Sequence, residues 1–396
     1  MMATESQSVN GSRSWRSVAT VAGWQTTASL CYYTIFAATG FLRDAFSLSE
    51  SLVGVFLTAA MLGYTLMLFP SGAAVDGLGE KRLMTVGLAS LAVAAVGVSL
   101  APTFLTLLGA GAILGAAYST AMPASNRAIV ASSPAGRQGL AMGLKQVGVT
   151  AGSGAASLLV TGIAAVAAWQ FGFWVIALLA GGYALVFATL YEGSRGSGEF
   201  SLPDLSGLRA NRAYVLLVAA GLFIGASIFS MLGYTVLYVD DVVGASAAAG
   251  GLVLAVTQVT GSVGRIGAGN LADRLGGATG AATVALGQMA LGAVLFALIA
   301  TRAWSLPVAV VLFAGLGLSV HGATGVFYSC LSALVDADDI GGATAGGQTA
   351  INVGGLLAPP LFGLLVETSG YSVGWALLAG TTLFAAVLLL AVRLRT

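Results

Sequence analysis

Long apolar runs alternate with short polar breaks along the whole 396-residue chain. Six runs fall at about 17–40, 50–72, 83–101, 103–128, 139–162 and 168–191, and six more at about 213–239, 247–270, 278–300, 304–334, 341–366 and 372–392. Most have the roughly 20 residues that a helix needs to cross hydrocarbon. No water reaches that layer, so each run can satisfy its own backbone only as a helix. The pattern predicts an all-α polytopic membrane protein with twelve transmembrane helices. A polar stretch, "EGSRGSGEFSLPDLSGLRANR" at 192–212, separates the two sets. The expected organisation is a tail at 1–16, a six-helix bundle at 17–191, a linker at 192–212 and a second six-helix bundle at 213–396.

Composition agrees. The chain is 57% hydrophobic and 8% charged, where a soluble protein carries about 25% charged residues. A net charge of +1 gives no footprint for nucleic acid. Cys31 and Cys330 fall in distant apolar runs and read as small core residues, not as a disulfide. The first run extends too far for a removable signal peptide and lacks a small-residue cleavage site. Basic residues orient the chain. With the N-terminus inside, Arg13, Arg16, Lys81, Arg82, Arg127, Arg137, Arg195, Arg209, Arg212, Arg274, Arg393 and Arg395 fall on the cytoplasmic side, and Arg43 and Arg302 outside. Both termini and the linker are therefore expected in the cytoplasm, with the protein in the cell membrane.

The polar breaks contain a repeat. "GAAVDGLGEKR" at 72–82 returns as "GNLADRLGG" at 269–277, and one offset of 197 residues aligns Gly72, Asp76 and Gly79 with Gly269, Asp273 and Gly276. Both copies lie between the second and third helices of their set. This arrangement resembles the major facilitator superfamily of secondary transporters, whose motif Gly-x-x-x-Asp-(Arg)-x-Gly-x-(Lys/Arg) occupies that loop and recurs in degenerate form. Gly72, Asp76, Gly79, Lys81 and Arg82 match the first copy. Gly269, Asp273, Arg274 and Gly276 match the second, which lacks the final basic residue. The resemblance covers essentially the whole chain. It implies two pseudo-symmetric bundles around a cavity that opens alternately to each side, and a gating latch at the motif, with Arg127 as an ion partner for Asp76. A solvated loop obeying charge topology is the plainer reading of the same residues.

Other family features are partial. Gly139, Gly148 and Gly152 keep the spacing of the antiporter motif in helix 5, but Ser153 stands where that motif has proline. Gly111 stands where proton-coupled drug exporters carry a helix-4 Arg. Both departures weaken a drug:proton antiporter assignment.

Candidate binding residues are the polar ones inside spans, where burial is costly. Lys145, Arg265 and His321 are the ionisable ones. Arg265 shares a helical face with Gln258, Gly261 and Gly269. Its "RIGAGNLAD" context resembles helix 8 of monocarboxylate and oxalate/formate carriers, which implies a guanidinium holding a substrate carboxylate. Gly261 replaces the Asp found there in monocarboxylate carriers, and helix 11 offers Gln348 and Asn352 where oxalate carriers place a Lys. A cytoplasmic gate is the other reading of Arg265. Lys145 either faces the cavity or snorkels to the cytoplasm. His321, the single histidine, suits either proton coupling or a neutral hydrogen bond. Gln25, Ser29, Tyr32 and Phe36 form a stripe on helix 1, and Phe223, Ser227, Ser230, Tyr234 and Tyr238 form one on helix 7. These fit a pocket or helix packing.

The buried charge is positive, whereas Asp44, Glu50, Asp240, Asp241 and Glu367 cluster toward external helix ends. The expected function is transport of a small organic anion such as a monocarboxylate, with Arg265, Lys145, His321, Gln25, Tyr32, Gln258 and Asn352 as substrate-binding candidates. The alternative is efflux of a neutral or hydrophobic compound. A non-transporting sensor would show a decayed motif or a long regulatory tail. An enzyme would need a nucleophile–base set, a metal-spaced cluster or a nucleotide loop, and none is read here. No cofactor or metal is expected. The expected partners are the substrate, the bilayer and a coupling proton, with the chain working as a monomer.

Overall fold

The computed structural model describes residues 2–134, 137–193, 198, 207–336 and 340–396. Arg195 and most of the linker at 192–212 lie outside them. The described residues form helices and short turns, with no strand among them. Helix α1 runs over Met2–Tyr32 and continues in two short pieces, Thr34–Ala37 and Thr39–Phe46. Then follow α2 (Glu50–Leu78), α3 (Glu80–Ser99), α4 (Phe104–Tyr118, resuming as Ala121–Ser132), α5 (Gln138–Ala164) and α6 (Gln170–Leu190). The second set is α7 (Arg212–Asp241), α8 (Ala247–Leu275) and α9 (Gly277–Thr301), then α10 (Leu306–Leu316, a π turn at Gly317–His321, and Ala323–Ala333), α11 (Ile340–Ser369) and α12 (Tyr371–Arg393). Among the described residues, α2 to α12 are each long and apolar enough to cross a membrane. With α1 they give the twelve-helix architecture expected from the pattern.

Local chemistry sets the helix ends. Thr103 accepts from the Thr106 N–H and closes a capping box at the start of α4. Asn211 caps α7 by accepting from the Tyr214 N–H at 3.1 Å, and its amide donates to the Leu334 carbonyl at 2.8 Å. Between α2 and α3 the chain turns at Gly79 with φ 85°, and between α8 and α9 at Gly276 with φ 79°. A side chain at either would be strained. The motif glycines thus sit at equivalent left-handed positions, one in each half of the repeat.

The chain groups into two compact units. One holds residues 1–34, 63–156 and 170–202, the other 35–62, 157–169 and 203–396. In the first, α3 packs on α6, and in the second α9 packs on α12 and α7 on α11. Both units use glycine to bring backbones together. A Cβ at Gly148 or Gly152 of α5 would run into the Ala22 or Thr26 carbonyl of α1. A Cβ at Gly354 of α11 would strike the Leu222 carbonyl of α7, and one at Gly225 of α7 the Ile351 carbonyl. Small residues at crossings are how helices associate in lipid, where no hydrophobic drive acts between them.

Helix α11 stays continuous through Pro359 and Pro360. Pro360 has no N–H for the carbonyl four residues back, and that carbonyl, Leu356 O, accepts instead from Thr58 Oγ1 at 2.6 Å. Gly54 of α2 lies against Pro359 and Pro360 so closely that a side chain there would strike their backbone.

Overpacking typically costs about 1–3 kcal/mol, so Gly152→Val and Gly354→Val should each lower the Tm of the detergent-purified protein. Gly109→Ala and Gly267→Ala, which face open space, should leave it unchanged or raised. Equal effects at all four sites would show that the crossings do not depend on glycine.

Candidate functional site

In the first unit, the charged break between α2 and α3 is an ion-pair cluster. Arg127 on α4 places Nη1 2.6 Å from Asp76 Oδ1 and Nε 3.4 Å from Glu80 Oε2. Glu80 is fully buried, and its other oxygen accepts from the Tyr191 hydroxyl at 3.4 Å. Glu80 stood in the quoted motif without a role, although an acidic residue in the first turn of α3 was the available signal. Gly72 has nothing within 4 Å of where a Cβ would be, Lys81 is part-exposed and Arg82 exposed. The second copy is built differently. Asp273 and Arg274 are exposed, and among the described residues nothing lies within 4 Å of where a Cβ would be at Gly269 or Gly276.

Deeper in the same unit, Lys145 does not snorkel. It is fully buried. Its Nζ donates to Asn126 Oδ1 at 2.7 Å, with Met122 Sδ at 3.8 Å. Both partners are uncharged. Gly148 and Gly152 hold α5 so close to α1 that the lysine stem runs inward along α4. Asn126 was missed as its partner because nothing in sequence spacing links the two helices.

Gln25 and Tyr32, both buried, belong to a third cluster of this unit. The Gln25 amide donates to Ser29 Oγ at 3.2 Å, and Gln25 Oε1 accepts from Ser125 Oγ at 2.9 Å. Ser29 Oγ and Tyr118 Oη lie 3.1 Å apart. Tyr32 stacks on Tyr118 with ring centroids 4.2 Å apart, and Tyr64 meets both rings edge-on.

In the second unit, Arg265 and His321 come together. Arg265 Nη2 lies 3.1 Å from His321 Nε2, and its Nε donates to the His321 carbonyl at 3.4 Å. Tyr328, further along α10, donates to Gln348 Oε1 at 2.5 Å, and the Gln348 amide donates to Asn352 Oδ1 at 2.8 Å. Among the described residues, His321 Nδ1, Asn352 Nδ2, Gln258 Oε1 and Gln288 Oε1 are buried without a hydrogen-bond partner, and the Gln288 amide donates to the Leu318 carbonyl at 2.9 Å. The structure therefore brings Arg265 and His321 into contact and links Asn352 to Gln348 and Tyr328. Lys145 and Gln25 sit in the other unit.

The helix-7 stripe divides by use. Ser227 lies 2.9 Å from Thr382 Oγ1, and the Tyr234 hydroxyl donates to the Glu50 and Pro359 carbonyls. Nearby, Arg43 gathers the carboxylates that clustered at helix ends. Asp241 lies at 2.6 Å, Glu50 at 2.8 Å, Asp44 at 3.4 Å and Asp240 at 4.0 Å. Tyr371 donates to Asp241 at 2.7 Å, and Ser51 to Glu367 at 2.7 Å.

The family model described as Major Facilitator Superfamily matches residues 22–336. The chain belongs to the major facilitator superfamily. Two solved structures of a bacterial homolog to the human lysosomal transporter Spinster share its fold. The inward-facing occupied form has a TM-score of 0.72 at 15% identity, covering 95% of this chain and 94% of its own. The inward-facing unoccupied form has a TM-score of 0.73 at 15% identity, covering 96% of each chain. No curated protein matches the chain significantly. As a superfamily member the protein is a multi-pass membrane transporter of a small-molecule substrate, so buried polar clusters in its helices are where solute contacts are sought.

Removing the acceptor of a charge-assisted hydrogen bond costs about 1.5–3 kcal/mol. Asn126→Leu should therefore lower the Tm by stranding Lys145. Adding Lys145→Met should recover most of the loss in a double-mutant cycle. Additive losses would mean that the two side chains do not depend on one another.

Proposed function

We propose that the protein is a secondary transporter for a small organic anion, a monocarboxylate being the simplest case, moved by alternating access. One observation carries this reading: Lys145 is fully buried with an amide oxygen and a thioether as partners, not a carboxylate. A buried cation without a counter-ion is costly, and an anionic solute would offset that cost. Arg265 adds a second cation in the spans and offers a carboxylate two parallel hydrogen bonds. In the unit of Arg265, Asn352 Nδ2 and Gln258 Oε1 are buried polar atoms without a hydrogen-bond partner among the described residues. His321, Gln25 and Tyr32 complete the binding set.

In this reading the Asp76–Arg127–Glu80 cluster, with Gly72, Gly79, Lys81 and Arg82, latches the ends of α2, α3 and α4. Gly269, Asp273, Arg274 and Gly276 are its weaker counterpart. The functional halves are 17–191 and 213–396, joined by a cytoplasmic linker at 192–212. The protein works as a monomer in the cell membrane with both termini in the cytoplasm, which the distribution of basic residues supports.

The test is thermal stability of the purified protein with lactate, benzoate, oxalate and matched neutral solutes. A ligand that binds only the folded state adds about 2.7 kcal/mol at a hundred times its Kd. A carboxylate should raise the Tm of the wild type and fail to do so for Arg265→Gln and Lys145→Gln. Stabilisation by neutral or lipophilic compounds alone, equal in all three proteins, would replace the anion reading with export of an uncharged compound.

A further inference from the structure

Arg265 and His321 meet where α10 widens into a single π turn, Gly317–His321, with the Gly322 N–H donating to the Gly317 carbonyl at 2.8 Å. Single π turns inside α-helices gather at functional sites. Two glycines of α8 make room for this one. A Cβ at Gly261 would strike the His321 ring, and one at Gly264 the Leu318 carbonyl. Backbone contact therefore sets the ring against α8, and Arg265 reaches it from the next turn.

The geometry fixes the protonation of the ring. A guanidinium only donates hydrogen bonds, so Nε2, 3.1 Å from Arg265 Nη2, offers its lone pair. The ring is neutral, with its single proton on Nδ1, which is buried without a partner. Arg265 masks the basic atom of the ring and is the charged group that faces it. The other ionisable groups on neighbouring helices are engaged or distant. Tyr328 of α10 is bonded to Gln348. On α7, Tyr214 donates to the Ala343 carbonyl and Tyr234 to the Glu50 and Pro359 carbonyls, Tyr238 packs on Trp375 with its hydroxyl unbonded among the described residues, and Asp240 and Asp241 lie against Arg43. Helix α9 carries no ionisable side chain, and Asp273 of α8 is exposed two turns beyond Arg265.

We infer that His321 is the proton carrier of the transport cycle and that Arg265 couples it to the anion. The inference rests on the anion reading above. A carboxylate that takes the guanidinium in paired hydrogen bonds draws Nη2 away from Nε2. The freed lone pair forms an N–H bond with a proton delivered by a hydronium ion, which is left as water. Before loading, the pair carries one positive charge, on Arg265. After loading it carries two positive charges and the carboxylate, again a net of one. The loaded and empty carriers thus have the same charge, and the anion and proton travel together. Without the anion, a proton on Nε2 would face the guanidinium directly, two like charges where water is scarce, so the proton does not bind alone. Linkage makes the effect reciprocal: each ligand raises the affinity for the other, and anion affinity rises as pH falls.

The experiment uses the full-length protein in proteoliposomes with a trapped pH dye and radiolabelled lactate or benzoate as probe. The wild type should take up one proton with each anion, at a rate unchanged when valinomycin and potassium set a membrane potential of either sign. In His321→Gln the amide can still accept from Arg265 but cannot hold the proton. The protons carried per anion, whatever the residual rate, should fall about fivefold or more, as removal of a coupling of about 5–150-fold implies. Should that variant fail to fold, the wild-type ratio and its indifference to potential still decide. Uptake of the anion without a proton, uptake that follows the membrane potential, or an unchanged ratio in His321→Gln would overturn the inference. If neither probe exchanges even with the same anion on both sides, the anion reading fails and the coupling falls with it.

Discussion

Lys145 is fully buried and Arg265 partly so, and each meets an uncharged side chain of a neighbouring helix, Asn126 and His321 respectively. The need to satisfy polar groups from within the protein, set by the bilayer, shapes much of the rest. It explains why the amides of Gln25 and Gln348 point at side chains of the same unit. It also explains why the carbonyl that Pro360 strips of its helical partner is met by Thr58. In water a lysine or a bared carbonyl would turn to solvent. Here each one fixes a helix to its neighbour.

The same constraint makes the internal repeat visible in three dimensions. In both units the fifth helix of a set crosses the first on glycine, Gly152 against Thr26 and Gly354 against Leu222. In both, a side chain of the fifth helix meets one from the fourth about twenty residues earlier in the chain: Lys145 with Asn126, and Gln348 with Tyr328. The backbone relation has been kept while the chemistry has diverged, a cation in one half and an amide in the other. The motif shows the same divergence. Asp76 holds Arg127, whereas Asp273 is exposed. Asymmetry of this kind is what a carrier needs if its two halves are to treat one solute differently.

Much of the fold was legible in sequence because it follows from composition and spacing. Twelve apolar runs became twelve helices, and the repeated Gly-Asp-Gly pattern marked two turns of the same hand at Gly79 and Gly276. Helix ends moved outward, α2 to Leu78 and α8 to Leu275, because amphipathic turns extend beyond the apolar core that hydropathy detects. Partners between helices were much less legible. Nothing in the spacing of Asn126 and Lys145 says that one faces the other, since this depends on the rotation of two helices about their axes. The π turn at Gly317–His321 was hidden for a related reason. Any period-based reading of α10 assumes 3.6 residues per turn, and the inserted residue changes which side chains share the face of His321. Snorkelling was a fair expectation for Lys145 from its depth alone, but glycine at Gly148 and Gly152 draws α5 against α1 and directs the lysine inward.

The cluster around Arg43 satisfies its charges in another way, by sharing one guanidinium among several carboxylates. The Arg43 side chain is 18% exposed and its carboxylates run from 16% for Glu50 to 72% for Asp44, so the pairs grade from largely buried to solvent-screened. The bonds beside them, Tyr234 to the Glu50 carbonyl and Thr58 to the Leu356 carbonyl, end on backbone oxygens that water could take over once the helices separate. Gly54 lies against the Pro359 and Pro360 backbone, and Gly363 against the Glu50 carbonyl and the Tyr234 hydroxyl. Lys145 is the opposite case: it is fully buried, and its ammonium meets Asn126 Oδ1 and Met122 Sδ. The contrast is therefore one of setting: Arg43 shares several carboxylates near helix ends, whereas Lys145 is fully buried and held by the uncharged Asn126.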